Sequence, residues 1–243
     1  MRRAVLIFAA GCGRVGFGSA LDAADPDAPA DAVEADADAA PACSAMFCDG
    51  FEDPALAVWG TATDIGASAT RDAAFGFRGA SLHATSPPGT SLAARFVDVF
   101  GVVAPADQWV RLYVYAPSGI VLDVEPAELT NAAGDHQIVF SLYDDAVDVH
   151  GHAIAGDFNA LVDEATPRDQ WICYELHVEV AANGLVELYR DGTQVVAQPA
   201  IDTRPSDGDL SRVRVGIPSK PTALDEHLFV DEVAADTARI GCL

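Results

Sequence analysis

Basic side chains are scarce in this chain. Lysine and arginine number 14 against 37 aspartates and glutamates, a formal net charge of −23 at neutral pH. Such a chain repels phosphate backbones and anionic headgroups, which excludes nucleic acid and acidic lipid surfaces as partners. Long apolar runs are missing too: the N-terminal run Ala4 to Ala10 has seven residues, far short of the roughly 20 that cross a bilayer. No segment sustains a helical apolar period between start and stop signals. A G-x-S-x-G elbow, a phosphate-cradling glycine loop and a basic stripe are all absent, which leaves serine-hydrolase, nucleotide and nucleic-acid readings without support.

What is present begins with Arg2 and Arg3 ahead of that apolar run, a charged n-region and a short h-region that predict a signal peptide over residues 1–11. Ala9, Ala10 and Gly11 before Cys12 resemble a bacterial lipobox, with Ala9 standing where that motif usually has Leu. The resemblance implies that Cys12 is lipidated and becomes the mature N-terminus, placing the protein in the cell envelope on a lipid anchor. An ordinary cleaved signal peptide and secretion is the alternative. From Leu21 to Ala42 the chain is almost entirely Ala, Asp and Pro, with seven acidic residues. It cannot bury enough apolar surface to offset chain entropy, so residues 12–42 read as a charge-extended tether. The body, residues 43–243, is the length that an all-β sandwich fills as one domain.

Alternation governs that body. Ile172, Tyr174, Leu176, Val178 and Val180 interleave with Cys173, Glu175, His177 and Glu179, the period-two pattern of a half-buried strand. Asn183-Gly184 and Asp191-Gly192 supply turn signals around Leu185 to Arg190, predicting a three-strand antiparallel meander. Similar alternation at Trp109 to Tyr115, Gln137 to Tyr143, Arg212 to Ile217 and Leu228 to Val233 predicts a two-sheet antiparallel β-sandwich of about a dozen strands.

The FCDGFED opening at Phe47 to Asp53, the RGASLH strand at Arg78 to His83, the W-x-C-x-E-x-H strand from Trp171, the LYRDG hairpin and the closing LFVDEVA resemble a concanavalin A-like, laminin-G-like jelly roll. The resemblance covers nearly all of the body and implies an all-β fold. That fold hosts lectins, glycosidases, lyases and adhesive modules, so function has to come from the site.

Five cysteines are present, Cys12, Cys43, Cys48, Cys173 and Cys242. With Cys12 given to lipid, the other four pair in three ways in an oxidising compartment. The expected pairs are Cys43 with Cys48 and Cys173 with Cys242. Cys48 with Cys242 stays open as an alternative, because first and last strands of jelly rolls commonly run side by side.

Sandwiches of this kind bind glycans on the outward side chains of a concave sheet. Trp109, Arg111, Tyr113 and Tyr115 share one strand face opposite Val110, Leu112 and Val114, and Glu175 and His177 share another. Aromatic rings stack on sugars while Arg, Glu and His bond hydroxyls, so these six form the expected ligand face. Glu175, His177 and Glu179 also resemble the E-x-D-x-E strand of family sixteen glycoside hydrolases, which implies a retaining hydrolase with Glu175 as nucleophile and Glu179 as acid/base. His177 stands where that family has Asp. Retention needs carboxyls about 5 to 5.5 Å apart, whereas residues four apart on a strand are separated by roughly 13 Å.

Asp148, His150 and His152 in VDVHGH, and Asp207 with Asp209 in DGD, have donor types that suit zinc or calcium. The first set lacks a fourth ligand and reads as a hairpin tip at Gly151, and the second reads as a turn. No cofactor is required by the sequence, with calcium the one candidate. The resulting expectation is a monomeric, non-catalytic, envelope-anchored module recognising a glycan on one sheet face. Glycan cleavage by Glu175 and Glu179, or a purely structural and adhesive role, are the alternatives.

Overall fold

A computed structural model describes residues 43–101, 104–206 and 208–243, and the side chains of 136 and 137 are outside the description. The signal segment, Cys12, the acidic tether and Asp207 therefore lie outside the described residues. Among those described there are fifteen strands and no helix. In chain order they are β1 (Phe47–Asp49), β2 (Gly60–Thr63), β3 (Ser68–Asp72), β4 (Ser81–Ser86), β5 (Ala93–Asp98), β6 (Asp107–Tyr115), β7 (Asp123–Thr130) and β8 (His136–Tyr143). They continue with β9 (Val147–Ala153), β10 (Gly156–Val162), β11 (Trp171–Glu179), β12 (Gly184–Arg190), β13 (Thr193–Ile201), β14 (Arg212–Ile217) and β15 (Glu226–Asp236).

These strands make two antiparallel sheets. An eight-stranded sheet runs β13-β12-β11-β6-β15-β4-β3 with β1 added beside β15, and a seven-stranded sheet runs β10-β9-β8-β7-β14-β5-β2. The sandwich read from the alternation is the observed architecture. Val110, Leu112 and Val114 of β6, Tyr174, Leu176 and Val178 of β11, and Ile138, Phe140 and Leu142 of β8 all lie in the buried core between the sheets. Phe140 and Tyr174 meet across it with ring centroids 4.8 Å apart.

The meander β11-β12-β13 forms as expected, but its first turn is built differently. Asp191 (φ 48°) and Gly192 (φ 79°) use the left-handed conformation that a tight hairpin needs, whereas neither Asn183 nor Gly184 does. Gly184 is required there for space: a Cβ would lie 2.1 Å from the Glu179 carbonyl oxygen and 2.4 Å from Thr203 Oγ1. VDVHGH is also not a hairpin tip. It is β9, paired on one side with β8 and on the other with β10.

Both expected disulfides are present, Cys43–Cys48 and Cys173–Cys242. The premise of the alternative pairing also holds, since β1 lies beside β15 with Cys48 opposite Ala234. Two disulfides suit an exported protein, and among the described residues no helix is long and apolar enough to cross a membrane.

β15 carries two buried acids. Burial pushes Glu226 up to about 7, against the pull of the Asp123 backbone amide and the Lys220 ammonium. Asp231 is likewise pushed up to about 7 by burial, although the amides of Arg78, Glu232 and Phe77 bond it. A raised folded pKa means the fold favours the protonated acid. Glu226 therefore carries no penalty below its unfolded value of 4.5, where both states are protonated, and a growing penalty as pH rises through about 7. Glu226→Gln should raise the melting temperature at about pH 8 and leave it almost unchanged at about pH 4. An equal effect at both values, read by differential scanning calorimetry, would refute the assignment.

Candidate functional site

The six residues expected on a ligand face do come together. In the β6–β11 register Arg111 lies opposite Glu175, Trp109 opposite His177, and Tyr115 opposite Trp171. All point away from the core, because their neighbours Val110, Leu112, Tyr174 and Leu176 fill it.

That face is covered, which corrects the expectation of an open groove. The C-terminal segment, residues 237–243, lies across it and uses its polar groups. Glu175 accepts hydrogen bonds from Arg239 Nη2 (2.9 Å) and Nε (3.1 Å) on one oxygen and from the Gly241 amide (2.7 Å) on the other. Arg111 donates to the carbonyls of Gly241 (3.2 Å) and Glu232 (3.2 Å). The Leu243 amide donates to the Tyr113 hydroxyl at 2.6 Å, and Cys242 is bonded to Cys173 beneath it. From the other side Phe77 stacks on Tyr113 with centroids 4.0 Å apart.

Arg111 is left 3% exposed, Tyr113 4% and Glu175 1%. Burial pushes the Tyr113 hydroxyl above the ordinary phenol range. Trp109 and His177 stack on each other at 3.9 Å and are almost as buried. Tyr115 is half-buried in a cluster with Phe75, Trp171 and Phe229. Glu175 is thus a structural carboxylate. The two-glutamate hydrolase reading loses its nucleophile, and Glu179 stands half-buried at the end of β11.

The outward face of the seven-stranded sheet carries the open polar features. Val147 and Val149 of β9 enter the core, so Asp148, His150 and His152 project outward. Cross-strand register sets Asn159 and Val139 beside His150, Ser141 and Leu161 beside Asp148, and Asp157 beside His152.

His150 Nδ1 lies 2.9 Å from Asp148 Oδ2, and Asn159 Nδ2 donates to the same oxygen at 3.2 Å. The carboxylate orients the ring and turns Nε2 outward, 3.6 Å from Glu125 Oε1. His152 Nδ1 pairs with Asp157 Oδ1 at 2.8 Å. Asp148 is 1% exposed, and its Oδ1 has no hydrogen-bond partner among the described residues. Burial, aided by the carboxylates of Asp148, Asp123 and Glu125, pushes the Tyr143 hydroxyl up, against the pull of a Ser141 bond.

Two depressions adjoin on this face. One, of ≈ 330 Å³, is lined by Tyr143, Asp148, His150, His152, Asp157 and Asn159 among others. The second, of ≈ 210 Å³, is lined by Glu125, Val139, His150, His152 and Ser219. Farther across the sheet Arg214 is ion-paired with Glu128, and Arg212 donates to Asp98 at 2.7 Å.

A larger depression of ≈ 440 Å³ lies beside residues 131–133 and 208–211. Its walls are mostly small side chains, and it is where Asp209 sits, so it offers less directional chemistry than the smaller pair. Among the described residues no three His, Cys, Asp or Glu side chains converge on a point that could hold a metal. Asp148 with His150 and His152 with Asp157 are two separate pairs.

No protein-family model matches the sequence, and no curated protein matches it. Solved structures do. An endo-β-1,4-glucuronan lyase from the fungus Trichoderma reesei superposes with a TM-score of 0.62 at 14% identity, covering 80% of this chain and 96% of that one. The cellulose induced protein Cip1 gives 0.61 at 15% identity, over 81% and 100%. The alginate lyase vAL-1 from Chlorella virus gives 0.57 at 9%, over 79% and 99%. At these identities the likeness is one of fold, and it agrees with the jelly-roll sandwich.

Proposed function

We propose that this chain is a carbohydrate-recognition protein whose ligand lies on the outward face of the seven-stranded sheet, over β7 to β10. The observation that carries this reading is the Asp148–His150 pair, which lines one of two adjoining depressions and extends His150 into the lining of the other. Imidazole, carboxylate, amide and phenol groups converge there, the mixture that bonds sugar hydroxyls. The fold neighbours support the class, since one is a glucuronan lyase and another an alginate lyase.

Recognition without turnover is the primary reading. A glycan-cleaving activity is the second, and it would use His150 as the proton carrier, since Asp148 holds Nδ1 and presents Nε2 beside Glu125, with Tyr143 lining the same depression as His150. Product analysis separates the two: new reducing ends or unsaturated sugars appear only for an enzyme. Export with lipid attachment at Cys12 remains part of the proposal, tested by comparing lipid-precursor labelling of the wild type with Cys12→Ala.

His150→Ala should weaken retention on a glycan array by about tenfold, with a melting temperature close to the wild type because the ring stands at the surface of the sheet. Unchanged retention would place the ligand elsewhere.

A further inference from the structure

We infer that the glycan taken by the His150 face carries free amino groups, a hexosamine chain in preference to a neutral or uronic acid one. The inference rests on the carbohydrate reading above and narrows it.

The charges around the two depressions do not balance. Among the described residues that line them are the carboxylates of Glu125, Asp148 and Asp157 and the imidazoles of His150 and His152. The arginines on the same sheet face are committed elsewhere, Arg214 to Glu128 and Arg212 to Asp98. Lys220, next in sequence to Ser219 at the rim, turns its ammonium to the carbonyls of Pro221 and Leu224. Among the described residues three carboxylates therefore stand beside two imidazoles. A uronate placed among them meets like charge on several sides, a selection against acidic chains.

Asp148 supplies the second, independent indication. It lines the depression, it is 1% exposed, and its Oδ2 is engaged by His150 and Asn159 while Oδ1 has no partner among the described residues. An ionised carboxylate only accepts, so the unfilled oxygen calls for a donor. A buried acceptor left unfilled is costly, and a charge-assisted bond to it is the strong kind. A sugar ammonium offers three donors and the compensating charge together, whereas a hydroxyl offers one donor and no charge.

The test is calorimetric titration of the full chain at about pH 6.5 with three tetrasaccharides, β-1,4-linked glucosamine with free amines, its N-acetylated form and β-1,4-linked glucuronic acid. The free-amine oligomer should bind at least about tenfold tighter than the N-acetylated one and lose that advantage in high salt, and the uronate should bind least. Asp157→Asn, at a side chain 76% exposed and so safe for folding, should narrow the preference for the amine over the N-acetylated oligomer. Asp148→Asn should reduce it further. Equal binding of the amine and N-acetylated forms, or tightest binding of the uronate, would overturn the amino-glycan inference and leave the carbohydrate reading standing. Binding of none of the three would overturn both.

Discussion

Replacing Cys173 and Cys242 together by alanine is expected to lower the melting temperature by about 10 °C, the equivalent of about 4 kcal/mol for a cross-link of this span in a domain this size. The bond joins positions 69 residues apart, so it removes much more freedom from the unfolded chain than Cys43–Cys48, with a separation of 5. The loss should also have a local signature. Once the bond is gone, residues 237–243 are held by the Arg239, Gly241 and Leu243 contacts alone, and limited proteolysis should trim them first. A double-alanine chain that melts with the wild type would show that the cross-link contributes nothing to stability.

Glu175→Ala carries the second large effect, a loss of about 2 kcal/mol from removing a buried carboxylate whose partners then lack an acceptor. Three donor groups are affected: Arg239 Nε and Nη2 and the Gly241 amide. The Arg239 side chain is 40% exposed and recovers solvation, which keeps the figure below that of a fully buried ion pair. Glu175→Gln retains an acceptor oxygen and should lose less. Because the disulfide and Glu175 hold the same segment, their effects should not add: in the cysteine-free background Glu175→Ala should cost measurably less than in the wild type. Denaturant unfolding of the four chains completes that cycle. Loss of glycan binding by Glu175→Ala with an unchanged melting temperature would return Glu175 to ligand contact.

Those two residues of β11 also show where the sequence could have been read further. Cys173, Glu175 and His177 alternate onto one strand face, and the pairing of Cys173 with Cys242 was itself expected. Taken together, a bond from that face to the third residue from Arg239 carries the C-terminal segment over Glu175. The strand alternation and the Cys173–Cys242 bond together imply a covered face. The site on β9 gave a weaker signal. VDVHGH shows period two, but Gly151 reads as a turn when its neighbours in the sheet are unknown. It becomes an interior strand position only once Phe158 and Ile138 are seen on either side.

The amino-acid sequence by itself determined the sandwich class, the side of each recognised strand that enters the core, and the short list of possible disulfide pairings. All of these follow from local periodicity, turn chemistry and the small number of ways four thiols can pair. Tertiary structure alone decided which outward face is sealed and which is open. A strand's alternation says only that a side chain leaves the core; whether it then meets solvent depends on what the rest of the chain lays across it. Arg111 and His150 both point outward from a sheet, yet one lies under a segment from the far end of the sequence and the other lines a depression. The difference comes from long-range contacts, for which a period-two pattern holds no information.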